Sequence, residues 1–511
     1  MDRSLHYRHG LPGEAAARVP RWRAQLNQPL HIVLRCADAL TAKVRYVFDT
    51  LFMAAGVEVA YALLPPASGP WILYGPAGER RNSSERCLAI HHCEEAWRLF
   101  EGAADVWEAG TVDGLRAVFS QRGGGLAPPA IGFDIIANAF YFLSSWAERV
   151  EAQRGQTRRL HVASVFARLE VPQDIVDRYL ARVMGMLDAL CDRIGYPRLG
   201  RIHWPDGAGY ALVLSHDVDF IPSGVADILK QGVKTVLRHL MRQRDPGDAL
   251  RSVGGLWKAV ASRRDPYGCV PEIIAREREL GVRASFQVAV GHRHPDDVNY
   301  RLEDARVRDY LQVIPDSGFD LCLHGSYRST ENPRWYVEEV GLLSERLARP
   351  LGSRQHFLSF DYDTLFSAQE EAGIQYDMSM GFPDRIGPRA GFSYPYFPYC
   401  LKEDRPYDVV QISLFLMDVT LRGYMRLKGA RAWEAVEGTL ADLRGKGGCA
   451  SVVWHPIVFG GARDPGYDRL FWDMVEHVRA TGGLATDGRT LNTWWRDRAR
   501  AYPSFAALGR H

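Results

Sequence analysis

From residue 208 onward the chain repeats one pattern: a short, largely apolar run followed by a longer stretch with apolar residues at helical spacing. The short runs are 211–215, 284–290, 320–324, 355–360, 409–412 and 450–454. Between and after them lie helical patterns at 270–280, 306–315, 335–347, 365–372, 432–443 and 467–480. A strand with no polar face must be covered on both sides, so this alternation calls for a parallel sheet or barrel wrapped by helices. In a βα barrel the chemistry sits where the strands end.

Residues 1–200 read differently, as a smaller α/β N-terminal domain. Strands are expected at 31–35 and 71–74 and a glycine- and proline-rich loop at 121–132. Helices are expected at 133–150 and 174–194, with a boundary at 195–206. The second domain, 208–511, carries an insertion at 223–267 whose two helical patterns, 225–241 and 249–262, suggest a hairpin. Composition sets the outer limits. With 46% hydrophobic and 24% charged residues the chain is globular, and Lys+Arg 63 against Asp+Glu 61 argues against a nucleic-acid partner. No apolar run is long enough to span a membrane. Residues 1–23 lack the apolar core of a secretory signal. Eight scattered cysteines without a CxxC pair are expected to be reduced thiols of a cytoplasmic protein.

Four clusters stand at expected strand ends. Ser215-His216-Asp217-Val218-Asp219 places one histidine and two carboxylates together, dense for an ordinary strand-ending turn and suited to metal binding plus proton transfer. His324-Gly325-Ser326-Tyr327-Arg328 follows 320–323; a close turn and a helix cap account for Gly325 and Ser326 but not for His324. In Arg354-Gln355-His356-Phe357 the arginine alone could be a surface charge. In Trp454-His455-Pro456 the proline stops the strand and fixes the histidine. Arg389 is a candidate substrate arginine, although a turn explains it equally, and Asp418 could support a histidine from behind. His292 with His294, and His91 with His92 and Cys93, read more simply as loop or structural residues. The aromatic run 394–399 could stack on sugar rings or form a rigid loop.

In order, LSHDVD, LHGSYRS, RQHF and VVWHP resemble the motifs of the polysaccharide deacetylases of the NodB type, carbohydrate esterase family four, over residues 208 to about 500. With a region ahead of the barrel, the chain looks like a divergent bacterial subgroup. The resemblance implies a distorted (β/α) barrel, one divalent ion of the zinc type, and hydrolysis of an N-acetyl or O-acetyl group on a sugar or polysaccharide. It assigns Asp217 as base, Arg354 as the arginine that orients it, and His455 as acid; His324 matches a metal histidine. The family's metal aspartate falls on Val218, which makes Asp219 the substitute. Its second histidine falls on Arg328, which cannot ligate, leaving His356 and His216 as replacement imidazoles. Arg328, Arg389 and Asp418 are the candidates for substrate contact. Two rivals remain: a barrel that binds a glycan or nucleotide sugar without cleaving it, and a carboxylate-pair glycosidase. The latter ranks third because Asp217 and Asp219 share one loop.

Overall fold

The computed structural model describes residues 29–76, 85–102, 109–123, 129–153, 166, 168–200, 204–242, 244–261 and 265–508. The polar segment 1–23 and the glycines at 124 and 125 lie outside them.

The N-terminal region is built on five parallel strands: β1 (Leu30–Leu34), β2 (Val59–Ala62), β3 (Trp71–Gly75), β4 (Cys87–His91) and β7 (Ala130–Ile131), in the order β2-β1-β3-β4-β7. A small hairpin, β5 (Gly110–Val112) with β6 (Leu115–Ala117), stands beside it. The single helix expected over 133–150 is two helices, Ile135–Leu143 and Trp146–Gln153. The break falls at Ser145, whose φ of 50° is left-handed and cannot continue a helix, although the apolar stripe runs on through it.

The second region is a distorted (β/α) barrel. Its strands are β8 (Tyr210–Val218), β9 (Ser285–Val288), β10 (Asp320–Gly325), β11 (Gly352–Gln355), β12 (Tyr376–Asp377), β15 (Val410–Gln411), β16 (Leu414–Met417), β17 (Cys449–Val453) and β18 (Gly483–Thr486). All pair in parallel, in the order β15-β12-β11-β10-β9-β8-β17-β16, and β18 adds to β8 beside β9. Between β12 and β15 a separate antiparallel pair forms, β13 (Tyr399–Cys400) with β14 (Arg405–Pro406). The first and last strands of that order are separated in the chain by two residues only. One segment, 410–417, pairs with β12 through Val410 and Gln411 and with β17 through Leu414 and Met417, so the sheet closes on itself. The expected strand 355–360 is corrected to 352–355. Gly352-Ser353-Arg354-Gln355 is fully buried yet polar, so hydropathy does not reveal it. The insertion after β8 forms the expected pair of helices, Val225–Leu237 and Pro246–Ala261.

One large hydrophobic cluster runs through both regions, beside two small ones. The aromatic run 394–399 is buried in their seam rather than offered to a ligand: Phe397 stacks on Phe505 and Tyr399 packs on Tyr46 and Phe140. Buried Tyr46 donates to the Phe397 carbonyl at 2.7 Å, and Arg149 donates to the Tyr399 carbonyl at 2.5 Å. We therefore expect Phe140→Ala to lower the stability of the whole chain by about 3–5 kcal/mol. Tyr46→Phe should cost about 1–3 kcal/mol. Denaturant unfolding followed by one probe in each region should give coincident transitions for both variants.

Candidate metal and acid–base site

The C-terminal ends of β8, β10, β11, β16 and β17 converge at one mouth of the barrel. Along β8, side chains alternate between the two faces of the sheet. Ser215 and Asp217 face inward and meet Arg354 at the end of β11. His216 faces the covering helices: Nδ1 donates to the Trp454 carbonyl at 2.7 Å, and Nε2 lies 3.0 Å from Glu277, among Phe286, Phe459 and Phe471. After the strand, the amide of Asp219 donates to the Asp217 carbonyl at 3.1 Å, a three-residue turn that folds Asp219 back over the mouth.

There Asp219 meets two imidazoles. Its Oδ1 stands 3.2 Å from His324 Nε2 and 3.8 Å from His356 Nε2. Among the described residues these form the one group of three side chains whose ligand-type atoms all lie within 4.8 Å of one another. His324 Nδ1 donates to the Arg354 carbonyl at 2.9 Å, which leaves Nε2 as the ring atom turned toward Asp219, the one a metal would take on losing its proton. Asp219 Oδ1 is buried and accepts no hydrogen bond. Such an orphaned carboxylate oxygen between two imidazoles is costly unless a cation meets it, and the His₂–carboxylate set fits a zinc-type ion. Burial opposes its charge, but the three histidines around it hold the Asp219 carboxyl well below the usual range. His356 reaches the cluster from a tight turn in which Phe357 and Leu358 both adopt left-handed φ, 58° and 53°. Bulky residues rarely sit there, so the backbone strain is spent on position. Half-exposed Phe357 stacks on the His356 ring at 4.2 Å.

Two polar pairs flank the cluster. Arg354 is wholly buried. It donates to Asp217 Oδ1 at 2.5 Å, to Ser215 Oγ at 2.8 Å and to the Met378 carbonyl at 3.0 Å. Asp217 Oδ2, which that pair leaves open, is 3.9 Å from His324 Nε2. On the other side, His455 Nδ1 donates to Asp418 at 2.7 Å while Nε2 faces Asp219 Oδ2 at 3.4 Å. Burial alone would depress the His455 imidazole, but the Asp418 carboxylate, with Asp219 and Asp217, pushes it up to about 9.

The structure thus brings together Asp217, Asp219, His324, Arg354, His356, Asp418 and His455. It leaves three of the proposed site residues apart. His216 is the outward side chain described above. Arg328 is exposed and pairs loosely with Glu331 at 3.7 Å. Arg389 is buried against Glu148, 2.7 Å away, and over the ring of Phe360. The sequence reading missed Ser215, a second anchor of Arg354. It also missed Asp297, whose carboxylate lies 3.9 Å from His356 Nδ1 and accepts the amide of Tyr327 at 2.9 Å. Strand alternation could have revealed Ser215; nothing in the loop around Asp297 marks it out.

No family model matches the chain, and no curated protein matches it by sequence. Among solved structures, the chain is similar to one described as a polysaccharide deacetylase from Mycobacterium smegmatis. That similarity is at 17% identity and a TM-score of 0.40, over 58% of this chain and 93% of that one. It is also similar to a crystal structure of an allantoinase, at 15% identity and a TM-score of 0.37, again over 58% and 93%.

In metal-free protein, the His455 ring followed by NMR should titrate near 9, and Asp418→Asn should bring the midpoint down. Because the folded value lies above the ordinary 6.5, this group stabilises the fold fully below about 6.5. That contribution is lost as pH rises through about 9.

Proposed function

We propose that the barrel is a metal-assisted hydrolase that removes an acetyl group from an N-acetylated or O-acetylated sugar or polysaccharide precursor. The observation that carries this reading is a proton acceptor and a proton donor, each backed by a buried partner of opposite charge, beside one three-ligand cluster. Asp219, His324 and His356 would hold the divalent ion. Bound there, such an ion supplies Lewis acidity, polarising an acyl carbonyl and acidifying water near neutral pH.

The remaining steps belong to the chain. Asp217 takes the proton of the attacking water on Oδ2, the oxygen that the Arg354 bond leaves open, while Arg354 keeps the carboxylate turned to the mouth. Water's oxygen bonds to the acyl carbon and the C–N bond breaks (C–O for an ester), giving acetate and a free amine or alcohol. His455, raised to about 9 by Asp418 against the effect of burial, holds its proton at neutral pH and delivers it from Nε2 to the leaving group. The exposed edge of Phe357 offers an apolar lip to a sugar ring.

Acetate release from N-acetylated oligosaccharides tests this reading. Asp217→Asn should lower kcat by about 10²–10⁴-fold, because an amide cannot accept the proton. His455→Ala should cost much less on an aryl acetate, whose leaving group needs no proton, than on an N-acetyl sugar. Wild-type turnover in Asp217→Asn would contradict the assignment.

A further inference from the structure

The two inserted helices carry a large apolar face that does not pack on the barrel. The side facing the barrel is mixed: Gly232, Thr235, His239 and Ser252 are buried, with Ile228 and Leu256 half-buried against the core. The side facing outward is greasy. On the first helix Val225, Leu229, Val233 and Leu237 recur every fourth residue, and all are exposed. On the second, Leu250, Val253 and Trp257 repeat at helical spacing, with Leu250 74% and Trp257 76% exposed. Met241, at the turn between the helices, is exposed as well.

This orientation is fixed by specific contacts. Arg238 donates to the Arg463 carbonyl and to Asp464, both at 3.0 Å, and His239 bonds the same carbonyl at 2.9 Å. Lys428 bonds Asp245 at 2.5 Å. At Gly255 an added Cβ would stand 2.7 Å from the Gly461 carbonyl oxygen, so the second helix lies directly on the loop after β17. The two helices touch closely too: a Cβ at Gly232 would stand 2.8 Å from Leu256. The hairpin is therefore clamped to the loops that follow β16 and β17, at the end of the barrel that carries Asp219 and His455. Its apolar side can only face away.

Charge decides what would cover it. Residues 223–267 hold nine Lys and Arg against four Asp and no Glu, a surplus of five in a chain whose total is +2. Lys230 and Lys234, beside the apolar stripe, are exposed, as is Arg251. Large exposed apolar patches mark interaction surfaces. An apolar helical face flanked by basic residues suits one surface chemistry in particular: acyl chains beneath anionic headgroups. We propose that the exposed apolar side of the helices Val225–Leu237 and Pro246–Ala261 lies in the interface of an anionic lipid bilayer and docks the mouth of the barrel toward it. The helices, of 13 and 16 residues, are roughly 20–24 Å long, a length for lying on a bilayer rather than crossing it.

The test is co-sedimentation of the full chain with vesicles of phosphatidylcholine alone or mixed with phosphatidylglycerol. Binding is expected to the mixed vesicles and weaker binding to phosphatidylcholine, and the difference between the two should shrink in high salt. The double variant Leu229→Asp/Trp257→Asp, at exposed positions, should fold with an unchanged melting midpoint and lose at least about tenfold in partitioning. Lys230→Glu/Lys234→Glu should lose roughly fivefold per charge. The proposal is overturned if the wild-type chain does not bind the mixed vesicles, or if it binds them equally with the double Asp variant. It is also overturned if the wild type is a dimer in solution that the Asp variant dissociates while neither binds lipid, since a second copy then covers the face. No substrate or metal enters the assay, so its outcome is independent of the proposed hydrolysis.

Discussion

A guanidinium without solvent contact holds the mouth of the barrel together. Arg354 projects from β11 across the interior to Asp217 and Ser215 on β8, and to the carbonyl of Met378 just past β12. Its own carbonyl fixes the tautomer of His324 on β10. One residue therefore orients Asp217, the imidazole of His324 and three strand ends. A buried charge is tolerated only where partners meet it, and removing one partner of such a pair typically costs about 3–5 kcal/mol. The site and the fold at this end thus depend on the same contacts.

The closure of the sheet explains why those contacts can form. Parallel strands point their carboxyl ends the same way, and the segment 410–417, shared between two edges, bends the row of strands into a ring. Asp418 follows β16 directly and His455 follows β17, so closure is what brings the His455–Asp418 pair opposite Arg354 and Asp217. On the outside of the ring, Arg389 and Glu148 join the barrel to the helix Trp146–Gln153, next to the aromatic seam around Tyr399. The N-terminal region stabilises the barrel's flank without reaching the cluster through any of these residues.

Much of this was legible in the sequence where hydropathy and structure coincide. The strands ending in Asp217, His324 and His455 are apolar and stop at chemistry-bearing residues, so both their place and their mouth could be read. Three features escaped for physical reasons. β11 is polar because its side chains bond inside the barrel, and its strand was placed several residues late. β12 is two residues long, too short for any periodicity. His216 looked like a ligand because it adjoins Asp217, yet strand alternation turns adjacent side chains to opposite faces and gives it to Glu277. His356, by contrast, enters the cluster only through two successive left-handed residues, which no sequence pattern announces.

The proposed site requires Asp219, His324 and His356 to share one ion while the neighbouring His216 takes no part. Metal content of the full chain, purified without chelator and measured by elemental analysis, tests this most directly. About one zinc-type ion per chain is predicted for the wild type and for His216→Asn, with strong loss in His356→Ala and Asp219→Asn. A wild-type chain without metal, or a His216→Asn variant that loses it while His356→Ala keeps it, would contradict the site as described.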